Sequence, residues 1–237
     1  HASYKKVRDV SVELMRRAYG RAPRKMYFVG SSEGGREGLT MAQRYPDAFD
    51  GIFSRVPVIH WTGLQHAGLR DGLASAGDAW IRPAQVKLVH DAVLKACDAL
   101  DGLADGIVGD PLACRKSFDA ASLQCKGAAS DACLTPAQVA AVRTLHADLR
   151  MDVELANGLT TYPGRGPGGE ALPSFGPTGG WTAWWLGSAA PAFPPDPKNG
   201  IAWFYGAGAI QYFYARNPSQ DLRAYRAADF RQRVQEV

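Results

Sequence analysis

Long apolar runs are absent from this 237-residue sequence. No stretch approaches the roughly 18 uncharged apolar residues that a membrane-spanning helix needs, and the chain does not open with a charged region, an apolar stretch and a cleavage site. Neither a membrane partner nor a leader peptide is therefore expected within the sequence. An initiating Met is also missing, since the sequence begins at His1 in what reads as a helix. We expect the natural protein to extend further upstream.

Positive charge exceeds negative charge only slightly in this sequence. Lys and Arg number 27 against 23 Asp and Glu, which gives a formal net charge of +4. Most basic residues near the N-terminus fall where a helix would face solvent, so a nucleic-acid partner is not expected. With 46% hydrophobic residues, the chain is long enough to bury the core of one large domain or two small ones.

Cysteine is sparse, and the four cysteines lack the paired C-x-x-C spacing that is typical of a zinc site. They are Cys97, Cys114, Cys125 and Cys133. Four cysteines allow three pairings, and the sequence favours chain neighbours, Cys97 with Cys114 and Cys125 with Cys133. Two such disulfides would need an oxidising compartment, so we predict a secreted or periplasmic protein.

The N-terminal part of the sequence shows the order helix, strand, tight turn, helix, strand. Apolar residues recur at helical intervals over 5–20, and 25–29 is a short apolar run of strand length. A glycine-rich turn at 30–35, a helix over 36–44 and a buried strand over 50–58 follow. This order predicts a parallel α/β sheet.

Two helices are predicted in the second part of the sequence, where no further strand pattern is evident. They begin at Pro83 and Pro136, each in the tetrapeptide Pro-Ala-Gln-Val, which we interpret as a common helix start and not as a repeat. Apolar stripes mark the first helix at Val86, Val89 and Val93, and the second at Val139, Val142, Leu145 and Leu149.

Aromatic residues crowd the Gly- and Pro-rich stretch 157–208 and the residues just after it. Loops with aromatic anchors fit this stretch best. Two interpretations stay open, because the rings could pack an irregular subdomain or contact an aromatic or sugar ligand. The residues concerned are Trp181, Trp184, Trp185, Trp203, Phe204, Tyr205, Tyr212, Phe213 and Tyr214.

The turn Gly30-Ser31-Ser32-Glu33-Gly34 matches the pattern G-x-S-x-G between a strand and a helix. Small residues around the serine permit a sharp turn that exposes its hydroxyl, so Ser32 is predicted to be a nucleophile. The backbone N–H of Glu33 would supply one oxyanion donor at the start of the helix. Ser31 is the rival nucleophile, but only Ser32 has a glycine two residues away on each side.

A serine nucleophile needs a histidine base and an acid that orients it, in the chain order Ser, Asp, His. No histidine after Ser32 follows a later strand with an acidic partner at its end. We therefore interpret His60, His66, His90 and His146 as surface or packing residues.

Three aspartates at short intervals with intervening glycines, Asp98, Asp101 and Asp105, suit a hard cation that takes oxygen ligands. The backbone carbonyls of Leu103 and Ile107 could complete a structural calcium site. The alternative is a solvated turn in which Asp and Gly hold ordinary turn positions.

Three segments together resemble the tannase and feruloyl esterase family, which includes hydrolases of terephthalate monoesters. They are Tyr27-Phe-Val-Gly-Ser-Ser-Glu-Gly-Gly-Arg36, Ala42-Gln-Arg-Tyr-Pro-Asp-Ala-Phe-Asp-Gly-Ile52 and Cys97-Asp-Ala-Leu-Asp-Gly-Leu-Ala-Asp-Gly-Ile107. The resemblance implies a partial α/β-hydrolase core over 1–78 and an inserted, loop-rich calcium-binding lid domain over 79–237. It also implies that Ser32 is the nucleophile and that the lid selects the acyl group. The family's calcium positions fall on Asp98, Asp101, Leu103, Asp105 and Ile107, and its neighbouring disulfides on the four cysteines.

Two departures from the family accompany this resemblance. Ser31 stands where members usually have a Cys bonded to a Cys beside the catalytic His, so that bond should be absent. The family's Asp and His follow the lid, so they are expected beyond Val237, with the second oxyanion donor before His1. The predicted function is hydrolysis of aromatic esters, galloyl, hydroxycinnamoyl or similar, and the 237 residues alone should be inactive. The alternative is a calcium-stabilised, inactive module that binds aromatic or carbohydrate ligands.

Overall fold

The computed structural model describes residues 3–173, 179–196 and 198–236. The chain forms two compact units, His1–Trp61 and Thr62–Val237. The predicted division into a hydrolase core up to about residue 78 and a lid after it differs from the division into these units and stays a prediction. No described helix combines the length and the apolar character that crossing a membrane requires.

The first unit contains the predicted sequence of elements, namely helix α1 (Ser3–Tyr19), strand β1 (Tyr27–Ser31), helix α2 (Glu33–Arg44) and strand β2 (Gly51–Arg55). The two strands run parallel, with Tyr27 opposite Gly51 and Ser31 opposite Arg55, which confirms the predicted pairing. The predicted start of α2 at Arg36 was wrong by three residues. The glycines after Ser32 already belong to the helix, although glycine is a weak helix former.

Helix α2 lies on one face of the two-stranded sheet, where Phe28 and Ile52 point towards it. A Cβ atom added at Gly38 would lie 3.1 Å from both side chains, so α2 packs about as closely as a helix can. Tyr27, Val29 and Phe53 alternate onto the opposite face and are 66%, 75% and 60% exposed. The close packing of α2 fixes its first turn directly beside the end of β1.

The second unit is mainly helical. Both predicted helix starts are confirmed, since α4 begins at Pro83 and α6 at Pro136. Leu149 was wrongly placed on the second helix; α6 ends at His146, and Leu149 pairs with Tyr162 in a short antiparallel ladder. The elements are α3 (Trp61–Ala74), α4 (Pro83–Cys97), α5 (Pro111–Ser117), α6 (Pro136–His146), β3 (Leu149–Arg150), β4 (Thr161–Tyr162), α7 (Ile201–Gly208) and α8 (Arg231–Glu236).

The core of the second unit lies around α4 and α6. The predicted stripe residues of α4, and those of α6 up to Leu145, are at most 3% exposed. Both favoured disulfides are confirmed, with Cα–Cα distances of 5.1 Å for Cys97–Cys114 and 5.0 Å for Cys125–Cys133. The first bond joins the end of α4 to α5, so it closes the core beside the aspartate-rich loop.

Helices α3 and α7 were not predicted, and glycines let them pack closely against each other. The Trp203 ring of α7 is fully buried against Gly72 of α3, where a Cβ atom would collide with it. A Cβ atom at Gly206 would lie 2.7 Å from the Gln65 carbonyl oxygen and the Leu69 nitrogen. The stretch 157–208 was interpreted as loops, so its last eight residues form an unexpected helix.

The two copies of Pro-Ala-Gln-Val meet inside the core. Gln85 Nε2 donates to Gln138 Oε1 at 3.0 Å, and Gln138 Nε2 donates to Gln85 Oε1 at 2.8 Å. Gln85 Oε1 also accepts the Arg82 N–H, and Gln138 Oε1 also accepts the Thr135 N–H, each at the start of its own helix. The shared tetrapeptide is thus a common helix start, as predicted, and it also ties the two helices together.

We expect the two glutamines to be energetically coupled. Gln85→Leu leaves the buried Gln138 amide without its partner and should lower the free energy of unfolding by about 1–3 kcal/mol. The double variant Gln85→Leu/Gln138→Leu should lose clearly less than the sum of the single variants, by about 1 kcal/mol. Urea unfolding measures all three, and exposed Gln124→Leu combined with Gln85→Leu is the additive control. Additive losses for the Gln85–Gln138 pair would contradict the coupling.

Candidate active site

Ser32 occupies the turn between β1 and α2 in a backbone conformation that residues with side chains rarely adopt. Its φ is 59° and its ψ is −117°. Such conformations cost about 1–3 kcal/mol and persist only where surrounding contacts enforce them. The side chain is exposed, so the hydroxyl is presented to solvent as the G-x-S-x-G pattern predicts.

Backbone hydrogen bonds hold the Ser32 turn on both sides. The Ser32 N–H donates to the Arg55 carbonyl at 3.0 Å, at the end of β2. Its own carbonyl accepts from Arg36 N at 3.2 Å, inside α2, and from Val58 N at 3.3 Å. The strained residue is therefore fixed by the neighbouring strand and by the following helix at once.

Two glycines allow the backbone to close around this turn. A Cβ atom at Gly30 would collide with the Gly34 carbonyl, and one at Gly35 would lie 2.7 Å from the Arg55 carbonyl oxygen. Gly34 completes the sequence pattern, yet a Cβ atom there would meet no described atom within 4 Å other than its chain neighbours and the backbone of its own helix. Gly30 and Gly35 are therefore the glycines that this geometry requires.

Glu33 is the first residue of α2, so its backbone N–H is one of those without an acceptor inside the helix. It stands next to Ser32, as an oxyanion donor must. The Glu33 carboxylate pairs with Arg36, which raises the pKa of that guanidinium, and it lies where the helix dipole favours negative charge. Ser31, the rival nucleophile, is also exposed, but it is the last residue of β1, paired with Arg55.

His66, His90 and His146, which were interpreted as surface or packing residues, have structural partners in the second unit. His66 is buried, with Nδ1 2.8 Å from the Thr62 carbonyl and Nε2 3.0 Å from the Tyr225 hydroxyl. Burial lowers the pKa of His66 and so favours the neutral form of its imidazole. His90 and His146 both face the carboxylate of Glu170, a residue that the sequence analysis did not single out.

The aromatic residues include a buried group and an exposed group. Trp181, Trp203 and Tyr214 are at most 3% exposed and pack the second unit. Another group lies on the outer side of α7 and of the wide helical turn Ala209–Tyr214 that follows it. These residues are at least 48% exposed: Phe204 48%, Tyr205 62%, Tyr212 62% and Phe213 53%. Their contact with a ligand stays a prediction.

The three aspartates of the predicted calcium loop accept backbone N–H groups. Asp98 Oδ1 accepts from Asp105 N and Gly106 N at 3.2 and 3.0 Å, and Asp101 accepts from Leu103 N and Gly109 N at 2.9 and 3.0 Å. Asp105 Oδ1 accepts from Ile107 N at 3.0 Å. Within the described ranges, no three His, Cys, Asp or Glu side chains are grouped so as to hold a metal ion. Calcium therefore stays a prediction beside the turn interpretation.

Comparison with known proteins identifies the family of the chain. The sequence model of the tannase and feruloyl esterase family matches residues 1–237. The mono(2-hydroxyethyl) terephthalate hydrolase of Piscinibacter sakaiensis is 38% identical over 210 residues, which cover 78% of this chain and 34% of that protein. The chain belongs to the tannase and feruloyl esterase family.

Solved structures of fungal esterases show the same fold. An esterase from Aspergillus oryzae superposes with a TM-score of 0.78 at 25% identity, over 100% of this chain and 42% of that one. Feruloyl esterase B from the same organism gives 0.71 at 25% identity, over 96% and 43%. The chain spans about a third of the length of the curated relatives it matches.

The strain at Ser32 predicts an unusual ranking of variants. Because glycine adopts this backbone conformation without a steric penalty, Ser32→Gly should be more stable than Ser32→Ala by about 1 kcal/mol. The order should reverse at Ser31 in the strand, where Ser31→Gly should be less stable than Ser31→Ala. Chemical denaturation of the four variants gives both differences. The same order at both positions would show that Ser32 is not held under strain.

Proposed function

We propose that this chain carries the nucleophile segment and the lid of a serine carboxylic ester hydrolase that acts on aromatic esters. The strained, exposed Ser32 between β1 and α2 is the observation that carries the proposal. Family membership supports the ester hydrolase class. The names of the relatives support the aromatic substrate, since terephthalate and ferulate are both aromatic acids.

The proposed reaction is acyl transfer through Ser32. Its Oγ attacks the ester carbonyl while a histidine takes the hydroxyl proton, and the Glu33 N–H stabilises the oxyanion. The C–O bond to the alcohol then breaks, the histidine returns the proton to the leaving alcohol, and water releases the carboxylic acid from the acyl-enzyme.

Two further features support an aromatic ester and an oxidising location. The exposed rings of Phe204, Tyr205, Tyr212 and Phe213 offer the flat apolar contacts that an aromatic acyl group needs. We propose that this surface belongs to the lid and helps to select the acyl group. The two disulfides agree with secretion or export to the periplasm, because thiols stay reduced in the cytosol.

The activity prediction is tested on the longest natural form of the protein. Ser32→Ala should reduce hydrolysis of galloyl, feruloyl and terephthaloyl esters by about 10⁴-fold or more, since the nucleophile is lost. Ser31→Ala is the matched control and should keep most of the activity. Retention of activity in Ser32→Ala would refute Ser32 as the nucleophile. No hydrolysis by the unchanged protein would favour the inactive binding module.

We also propose a structural calcium ion at the loop 98–107. Its donors are oxygens only, which suits calcium, and the Asp98, Asp101 and Asp105 side chains already curl the loop. The ion would be held by these carboxylates, turned from their backbone partners, with the carbonyls of Leu103 and Ile107. Its role would be to stabilise the loop beside the Cys97–Cys114 bond.

Calcium at a hundredfold excess over its dissociation constant should stabilise the protein by about 2.7 kcal/mol, and a chelator should reverse the effect. Asp101→Asn should abolish this response in thermal unfolding. Asp221→Asn is the matched control, because Asp221 also accepts the backbone N–H two residues later, from Arg223 at 2.9 Å, outside the loop. A melting temperature that changes with neither calcium nor chelator would show that the loop is an ordinary turn.

A further inference from the structure

Glu170 is a fully buried carboxylate held by two histidines from different helices. One oxygen faces His90 Nδ1 of α4 at 3.2 Å, and the other faces His146 Nε2 of α6 at 3.3 Å. The Gly168 N–H lies 3.1 Å from both oxygens. A buried carboxylate without such donors would cost several kcal/mol, so these contacts are what allow Glu170 to lie in the core.

The hydrogen bonds of the cluster need protons on the imidazoles. An ionised carboxylate has no hydrogen of its own, so each imidazole must present an N–H to Glu170, His90 from Nδ1 and His146 from Nε2, which a neutral or a charged ring can do. An ionised carboxylate accepts both N–H groups, whereas a protonated one loses acceptor capacity and gains a hydrogen of its own.

Glu170 also holds the backbone at Trp181. The Glu170 carbonyl accepts the Trp181 N–H at 2.7 Å, and the buried Trp181 ring lies 5.1 Å from the His146 ring. Other attachments lie nearby: Arg165 donates to Asp71 of α3 at 2.8 and 3.0 Å and stacks 4.4 Å above Trp185, and its backbone N–H donates to the Leu145 carbonyl at 2.8 Å. Loss of the Glu170 side-chain contacts would thus remove one of several attachments of residues 164–173 and 179–186.

Solvent protons have a short route to the cluster. His146 lines a surface cleft of about 300 Å³ together with Arg115, Phe118 and Arg143. The two arginines are already paired, with Asp148 and Asp119 respectively. The titratable groups that face Glu170 itself are His90 from α4 and His146 from α6, while its own segment contributes the Gly168 N–H.

The sign of the pH dependence follows from the carboxylate. Burial alone would raise the pKa of Glu170, but the hydrogen bonds from His146, from its own segment and from His90 outweigh burial and hold the pKa below its ordinary value. A lowered pKa in the folded state means that the stabilisation is fully present above the unfolded value, about 4.3. It is lost as the pH falls through the folded value.

We propose that the His90–Glu170–His146 cluster is an acid-sensitive lock. It ties residues 164–173 and 179–186 to helices α4 and α6 while Glu170 is ionised, and it opens locally when the carboxylate takes up a proton. The lock does not depend on the esterase proposal, because it rests on contacts within the second unit alone.

Amide hydrogen exchange of the unchanged protein tests the lock directly. Exchange is followed from about pH 7 to about pH 3 and corrected for the intrinsic rate at each pH. The protection of amides 164–173 and 179–186 should fall about tenfold or more below pH 4, while helix α7 keeps its protection. Constant protection, or simultaneous loss across the second unit, would overturn the proposal.

Glu170→Gln supplies the second arm, since its amide group presents a donor to at least one imidazole. In this variant the same amides should be about tenfold less protected already at neutral pH, and their protection should not fall further at acidic pH. Glu154→Gln changes an exposed carboxylate in the same way and should behave as the unchanged protein. Full protection in Glu170→Gln at neutral pH would refute the lock. Should this variant fail to fold, the pH series on the unchanged protein still decides the matter.

Discussion

Both units of this protein depend on places where two stretches of backbone touch with no side chain between them. At the serine turn, Gly30 lies against the Gly34 carbonyl, and this contact lets α2 start directly after β1. In the second unit, Gly206 of α7 lies against the backbone of α3 at Gln65 and Leu69. A single Cβ atom at either position would displace a whole helix, because packed interiors have little free volume.

Buried polar groups then specify how the helices of the second unit are arranged. An apolar stripe on α4 could meet the stripe on α6 in several registers. The reciprocal Gln85–Gln138 amides and the shared acceptor Glu170 satisfy their hydrogen bonds in only one. These contacts contribute specificity more than stability, since a mismatched register would leave polar atoms unpaired in the core.

The features that the sequence predicted are those set by near neighbours. The parallel strands, the serine turn, the helix starts at Pro83 and Pro136 and both disulfides depend on local patterns or short spacings. Helix α3 escaped detection because the glycines that admit α7 lower its helix propensity by about 1 kcal/mol each. Glu170 was missed because its partners lie 80 and 24 residues away, and a lone Glu in a Gly-rich stretch gives no signal of burial.

The same distinction applies to Ser32. The conformation of Ser32 is enforced by Arg55 and Val58, which follow it within 26 residues, and by Arg36 in the adjoining helix. A local motif can therefore present the hydroxyl wherever this strand, turn and helix form. A hydroxyl at its ordinary acidity is a poor nucleophile until a base takes its proton, so the reaction proposed for Ser32 also needs a base that other contacts must position. The geometry of Ser32 explains how its hydroxyl is presented, and the rate of the proposed reaction is a property of the whole protein.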